Sequence, residues 1–328
     1  MVFDEILNEI EKYDTITIYR HTNPDCDAVG SQFALKEWIK LNYPNKKVYA
    51  LGNESCSQST WPKSDVVDDE VVKESLGIAV DCSDLRRVDD ERFATTKLKI
   101  KMDHHPNVDA YGDIQHVDTD AAATCEIMTN FFQYTDKEMN DLIALYLYRG
   151  LLTDTMQFST SNTTNNTLMV AAYLTTFNLP IADINRDLFD VTLENFEFSN
   201  YVRNSLTYSD SGFAYLVLNK NDLEAWNLTP SRARKSIDEY GNVLEFEVWA
   251  MFTENEKGLY DGSLRSKKLV VNELASKYHG GGHANAAGVN GLTNEELEQI
   301  LEDLAELCAK IDWNAWLLGV KFTVDKGD

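Results

Sequence analysis

In the first half of the chain, short apolar runs alternate with stretches of helical period. Thr15-Ile16-Thr17-Ile18-Tyr19, Lys47-Val48-Tyr49-Ala50-Leu51, Gly77-Ile78-Ala79-Val80 and Leu98-Lys99-Ile100-Lys101-Met102 read as strands. Ala28 to Leu41 reads as a helix, and further helical stretches fall at about 121–133 and 138–152. Strands alternating with helices predict a parallel α/β sheet with helices on both faces. The second half changes style. Residues 195–208 read as a connecting helix; 213–219, 243–253 and 258–264 read as sheet; Thr293-x-x-Glu296 opens a helix to about Ile311 with a capping box; and 320–324 closes the chain as a strand. The domains expected are 1–190, a linker helix over 191–210, and 211–328.

In parallel sheets, ligands bind at the carboxyl ends of strands. Acidic and imidazole groups cluster at those predicted ends. His21-Thr22-Asn23-Pro24-Asp25-Cys26-Asp27 follows the first strand, Asp81 follows Val80, and Asp103-His104-His105 follows Met102; Asp154 ends an apolar helix. Taken singly, an aspartate in such a place is as often a helix N-cap. Together the segments offer imidazoles and carboxylates with no cysteine ligand, a set that suits Mn²⁺ or Mg²⁺ better than structural zinc. His104 is expected to ligate, with Asp103 behind it orienting an imidazole, and His105 to point elsewhere, toward substrate. The ligands exceed what one octahedral ion needs, so two ions ~3.5–4 Å apart sharing a carboxylate are expected.

Two features of the second half add to this. Arg265 and Ser266 end a predicted strand, and His279-Gly280-Gly281-Gly282-His283 reads as a glycine-rich loop that lets backbone approach a ligand. Arg265 can grip a phosphate bidentately, and His283 can donate to a phosphoryl oxygen.

Composition narrows the substrate. Hydrophobic residues are 43% and charged residues 26%, ordinary for a globular protein. The net charge of −24 opposes binding of long nucleic acid, which needs a basic footprint. It leaves small phosphorylated substrates open, since bound divalent ions supply local positive charge. No apolar run reaches the ~18 residues that span a bilayer. The five scattered cysteines form no framework, and the acidic N-terminus is no secretory signal. Cytoplasmic residence is expected, and a homodimer is compatible with the sequence.

The motifs HTNPDCDAVGS, AVDCSD, DHHPN and LLTDT, followed by LRS and GGGHANAAG, resemble those of the DHH/DHHA1 phosphoesterases. The length and motif order look most like the NrnA-type nanoRNases, which also act as phosphatases on 3′-phosphoadenosine 5′-phosphate (pAp). The resemblance implies a parallel five-stranded DHH domain, a smaller mixed-sheet DHHA1 domain and an active site in the interdomain cleft. It implies one Mn²⁺ on His21, Asp25 and Asp81 and another on Asp27, Asp81, His104 and Asp154. It makes His105 and Asp103 catalytic, and gives substrate binding to Arg265, Ser266, Gly281, Gly282 and His283. The expected activity is hydrolysis of short oligoribonucleotides or linear dinucleotides (pApA, pGpG) to mononucleotides, and of pAp to AMP. The alternatives are an inorganic pyrophosphatase or exopolyphosphatase of the wider DHH superfamily, or a catalytically silent nucleotide-binding module. One departure bears on substrate preference: many members carry glycine and arginine where this chain has Met156 and Gln157.

Overall fold

The fold was read from a computed structural model that describes residues 2–56, 60–107 and 109–310. It divides into two compact units, residues 1–190 and 191–328. The expected strand over 320–324 lies outside the described residues.

The first unit runs α1 (Val2–Lys12), β1 (Thr15–Tyr19), α2 (Cys26–Asn42), β2 (Lys47–Ala50), α3 (Asp69–Lys73), β3 (Leu76–Val80), β4 (Leu98–Asp103) and β5 (Ile114–Val117). Four helices follow: α4 (Thr124–Thr135), α5 (Asp141–Asp154), α6 (Asn165–Leu174) and α7 (Ile181–Phe189). The five strands form one sheet in the order β2-β1-β3-β4-β5, with every neighbouring pair parallel. The central strand β3 is buried along its whole length, as its unbroken apolar sequence requires of a strand covered on both faces.

Helix α2 packs against α5 at unusually close range. A Cβ on Gly30 would stand 2.7 Å from the Tyr146 carbonyl oxygen, and one on Gly150 would stand 2.9 Å from the Asp27 Cα. Both distances are below any real side-chain contact, so glycine is required at both positions. This crossing brings the start of α2, with Asp27, beside the end of α5, with Asp154.

The second unit runs α8 (Leu193–Asn204), β6 (Thr207–Tyr208), β7 (Phe213–Leu218), α9 (Lys220–Ala225), α10 (Pro230–Arg234), β8 (Val248–Glu254) and β9 (Tyr260–Ser266). It ends with α11 (Asn272–Lys277), β10 (Gly281–His283), β11 (Ala286–Leu292) and α12 (Asn294–Ala309). Its six strands pair in the order β10-β11-β9-β8-β7-β6; β7 and β8 are parallel and the rest antiparallel, giving the mixed sheet. One face carries α12 over Phe213, Val248, Leu264 and Val289, and the other carries α8 and α10 over Leu216, Trp249 and Met251.

Three local expectations are corrected. The connecting helix stops at Asn204, and Thr207–Tyr208 is instead a short edge strand that pairs with β7. The segment 243–247 is not strand; pairing with β9 begins only at Val248. The glycine-rich segment is not a loop but the β10–β11 hairpin, in which Gly282 stands opposite Ala287. The capping box at Thr293 and Glu296 is present as read.

Candidate metal centre

His21, Asp81 and Asp103 stand at the carboxyl ends of β1, β3 and β4, side by side in a parallel sheet. The chain leaves β3 through Asp81 at φ +53°, a left-handed conformation uncommon outside glycine, which turns its carboxylate across the strand ends. Asp25 N-caps α2, its Oδ1 accepting from the Asp27 and Ala28 amides. Its second oxygen is left to face His21.

The oxygens of Asp81 look in two directions. Oδ2 lies 3.4 Å from His21 Nε2, which is also 3.6 Å from Asp25 Oδ2. Oδ1 lies 3.5 Å from His104 Nε2, which is in turn 3.4 Å from Asp154 Oδ2 and 4.0 Å from Asp27 Oδ2. Thus His21, Asp25 and Asp81 form one group able to hold a metal ion, and Asp27, His104 and Asp154 form another. A third joins Asp81 to His104 and His105. In both His21 and His104 the other ring nitrogen points at a backbone carbonyl, Thr22 at 2.7 Å and Ala121 at 3.3 Å, which orients Nε2 toward the carboxylates.

The electrostatics show a site short of positive charge. Burial, and then the neighbouring Asp27, Asp81 and Asp25, push the Asp154 carboxyl up to about 10. Burial followed by Asp81 and Asp25 raises Asp27 well above the carboxylate range. Burial works to lower the His21 imidazole, but hydrogen bonding to Asp25 and Asp81 outweighs it and lifts it to about 10. For Asp25, burial is outweighed in the other direction, by His21 and the α2 amides, and its carboxyl is held below the ordinary value. His104 Nε2 is buried among these carboxylates with no hydrogen-bond partner among the described residues. Bound divalent cations would relieve both the crowding of carboxylates and the orphaned nitrogen, so the donor set fits them.

Beneath the cluster lies scaffolding that motif reading passed over. Asp27 is fully buried, and both its oxygens accept from the N-terminus of α4: Oδ2 from Thr124 N at 2.6 Å and Oδ1 from Cys125 N at 2.8 Å. The residue before that helix is Ala123, which has no capping side chain, so Asp27 caps α4 from 97 residues away. The Thr124 hydroxyl donates to Asp81 Oδ1 at 3.0 Å. One helix end therefore orients two of the candidate ligands. The only sequence signal was an uncapped Ala121-Ala122-Ala123-Thr124 helix start.

Of the two imidazoles in the DHH run, the one Asp103 holds is that of His105. The Asp103 Oδ1 pairs with His105 Nδ1 at 2.9 Å, because the chain turns sharply after β4 and the His105 amide also donates to that oxygen. His105 therefore points partly into the cluster, 3.4 Å from Asp81 Oδ1, and is 38% exposed. Hydrogen bonding to Asp103 raises its pKa. Behind Asp103, 3.6 Å from Oδ2, is the fully buried Lys101 ammonium. Lys101 is also bonded to the Ser83 carbonyl and Asn107 Oδ1 and stacked on Tyr111.

The substrate residues expected in the second unit separate into two groups. Arg265 is paired with Ala286, and Ala286 with His283, so register places Arg265 and His283 on one face of the sheet with only a methyl group between them. Gly281 is exposed, and a Cβ there would meet nothing within 4 Å, so packing does not explain the glycine. Gly282, at φ +137°, is required by the hairpin, since a Cβ would stand 2.6 Å from the Ala286 carbonyl oxygen. Ser266 falls on the opposite face. Its hydroxyl donates to the Leu269 carbonyl and accepts from Asn285 at 2.9 Å, so it holds the turn after β9 and does not join Arg265.

Met156, Gln157 and Phe158 follow Asp154 at φ +44°, +59° and +65°. The chain thus keeps a left-handed turn without glycine. The Gln157 side chain is tied to Asn185 at 3.1 Å.

Comparison with known proteins agrees with this architecture. Residues 15–151 match the DHH family, N-terminal domain, and residues 210–310 match the DHHA1 domain. The chain is 37% identical over 305 residues to a "Probable bifunctional oligoribonuclease and PAP phosphatase NrnA" of Streptococcus mutans, covering 93% of this chain and 98% of that protein. It is 33% identical over 307 residues to the "Bifunctional oligoribonuclease and PAP phosphatase NrnA" of Bacillus subtilis, covering 93% and 98%. Among solved structures, an exopolyphosphatase-related protein from Bacteroides fragilis superposes with a TM-score of 0.82 at 22% identity, covering 94% of this chain and 97% of that one, which speaks for the fold. Among the described residues, no helix is long and apolar enough to cross a membrane.

Proposed function

This chain belongs to the DHH/DHHA1 phosphoesterase family and is a hydrolase of phosphoester bonds, and from that premise we propose that it cleaves short oligoribonucleotides and linear dinucleotides to mononucleotides and pAp to AMP, using two Mn²⁺ ions. The observation that carries the reading is the division of Asp81, one oxygen toward the His21–Asp25 pair and the other toward His104 and Asp154. The names of the two relatives support the substrate class.

His21, Asp25 and Asp81 would hold one ion, and Asp27, Asp81, His104 and Asp154 the other. Such ions, when bound, supply Lewis-acid stabilisation to a phosphoryl group and lower the pKa of water. The chain's own residues do the rest. His105, held by Asp103 and partly exposed, presents an imidazole that donates to a phosphoryl oxygen. Against burial, hydrogen bonding to His105, with the nearby Lys101 adding to it, holds the Asp103 carboxyl below its ordinary value, which keeps that imidazole in one orientation. Arg265 grips a phosphate of the substrate bidentately and His283 donates to it from the same sheet face. Gly281 leaves room for the substrate backbone. The net charge of −24 disfavours long strands and favours substrates held by a few local contacts.

The test is a panel of pAp, pApA, pGpG, two- to five-nucleotide RNA and pyrophosphate, assayed with Mn²⁺ and with Mg²⁺. Release of mononucleotide from the dinucleotides and short RNA, with little turnover of pyrophosphate, is the expected result. Preferential turnover of pyrophosphate would replace the proposal with a pyrophosphatase.

A further inference from the structure

Of the chain's five cysteines, Cys26, Cys82, Cys125 and Cys308 are buried, and Cys56 alone is partly exposed. Cys26 is the first residue of α2, fully sealed from solvent, with Asp25 before it and Asp27 after it. Cys56 lies beyond β2 in the sequence and packs against the core of the first unit.

Bonds on either side of Cys56 bring it to the start of α2. The Glu54 carboxylate accepts from the Asn23 amide, in the turn that leads to Cys26, and the Glu54 carbonyl accepts from the buried Arg20 guanidinium. The Glu54 amide donates to Asp89 Oδ2 at 3.0 Å. Beyond Cys56, the Thr60 carbonyl accepts from Arg149 of α5 at 3.5 Å, and the Arg149 guanidinium lies 4.6 Å from the Trp61 ring centre. The two thiols meet there: hydrogen bonding to Cys56, and then burial, raise the Cys26 thiol. Burial lowers the Arg20 guanidinium, and Asp89 and then Cys56 oppose this, so Cys56 stands within the field of that cation. A partly exposed thiol beside a guanidinium is the kind that oxidants reach, whereas thiols buried in apolar surroundings are inert. Cys26 is in place to resolve what forms on Cys56.

We propose that Cys56 and Cys26 form a reversible disulfide under hydrogen peroxide, a redox switch placed between Asp25 and Asp27. Cys56 Sγ attacks one peroxide oxygen and the O–O bond breaks. The thiol proton joins the departing hydroxide as water, leaving a sulfenic acid on Cys56. Cys26 Sγ then attacks the Cys56 sulfur, the S–O bond breaks, and the Cys26 proton leaves with the hydroxyl as a second water. Two thiols are oxidised to one disulfide as one peroxide is reduced to two waters. A disulfide holds its sulfurs about 2.05 Å apart and its Cβ atoms about 3.8 Å apart. That is closer than two hydrogen-bonded thiols, so the new bond pulls on the first turn of α2. Asp25 and Asp27 flank the point of pull, and the oxidised chain holds divalent cations less well. The effect on metal rests on the ligand roles proposed above; the disulfide itself does not.

The experiment treats the metal-free, full-length chain with hydrogen peroxide, digests it without reduction and maps its peptides by mass spectrometry. Mn²⁺ affinity is then measured for reduced, oxidised and re-reduced chain. A linked Cys26–Cys56 peptide pair is expected, lost on treatment with dithiothreitol, with Cys82, Cys125 and Cys308 still open to alkylation after unfolding. The oxidised chain should bind Mn²⁺ at least fivefold more weakly than the reduced chain and recover with dithiothreitol. Cys56→Ser and Cys56→Ala should keep their Mn²⁺ affinity within twofold after the same treatment. Absence of the linked pair, or pairing of either cysteine with another, overturns the disulfide. A linked pair with unchanged Mn²⁺ affinity, or an equal loss of affinity in the Cys56 variants, overturns the switch. If the reduced chain binds no Mn²⁺, the proposed metal chemistry falls, and the peptide map alone decides the disulfide.

Discussion

At the carboxyl ends of β1, β3 and β4, Asp27, Asp81 and Asp103 are almost wholly sealed from solvent, and each accepts a hydrogen bond from a particular donor. On the β9–β11 face of the second unit, Arg265 is half-buried and His283 is exposed beside a glycine that nothing packs against. The first region is buried and electrostatically unfinished: it crowds carboxylates whose charge protons or bound cations must offset. The second is open, and Arg265 is held there by a bond to the Leu264 carbonyl. Burial of unsatisfied charge is costly and is kept where chemistry needs preorganisation. An exposed face with room for backbone suits recognition, where the ligand brings its own charge. The contrast implies that variants in the first region should lose turnover and metal together, and variants in the second should lose substrate affinity alone.

The largest effect expected is from Asp81→Asn, which removes the carboxylate shared by both ligand groups. Its kcat should fall by roughly 1,000-fold or more, since one of the two oxygens becomes an amide nitrogen and the shared negative charge is lost. Arg265→Ala should raise KM for pApA by about 10–100-fold, the ~1.5–3 kcal/mol of a charged hydrogen bond, with Mn²⁺ affinity within twofold of wild type. A loss of Mn²⁺ affinity in Arg265→Ala would erase the distinction between the regions. Thr124→Val tests the scaffolding beneath the cluster. Without the hydroxyl that donates to Asp81, Mn²⁺ affinity should fall about 10-fold, at the low end for groups that orient ligands. Thr124→Ser, which keeps the donor, should restore most of it.

The pH dependence of the metal-free protein follows from the same crowding. Asp154 and His21 both have folded-state values raised to about 10, so over neutral and mildly basic pH the folded chain holds protons that the unfolded chain has released. Stability must then fall as pH rises, because the unfolded state binds fewer protons than the native state. In chelator the melting temperature should drop by several degrees between pH 6 and pH 9, and added Mn²⁺ should recover more at pH 9 than at pH 6. Scanning calorimetry checks this, and a flat profile would contradict it. The smallest effect concerns the turn after Asp154. Met156 sits at φ +44°, where glycine is free of the strain a side chain carries. Met156→Gly should raise stability by up to about 1 kcal/mol in denaturant unfolding.

The first region was the more legible of the two in the sequence, for a physical reason. A parallel sheet places its functional groups directly after apolar strands, so His21, Asp81 and Asp103 announce themselves by position. What stayed hidden acts through the backbone. Thr124 is an ordinary residue at a helix start, and nothing nearby in sequence shows that its hydroxyl and amide reach Asp81 and Asp27. Lys101 reads as the polar half of an alternating strand, yet it is fully buried against Tyr111 and Asp103. β5, four half-buried residues at the sheet edge, lacks a strong apolar run and went unread. In the second unit, three successive glycines suggested a loop, but pairing with Gly288 and Ala287 makes Gly281 and Gly282 part of an edge strand. Ser266 looked like a partner of Arg265, and the two-residue alternation of a strand turns it to the other face.

The central claim is that the cluster holds two divalent ions through a shared Asp81. A titration of the chelator-stripped chain with Mn²⁺, followed by electron paramagnetic resonance, tests it most directly. The account predicts two ions per chain with a magnetically coupled signal in the wild type, and loss of the coupled signal and of at least one ion in Asp81→Asn. A wild type that binds a single uncoupled ion, or an Asp81→Asn variant that keeps the coupled pair, would contradict it.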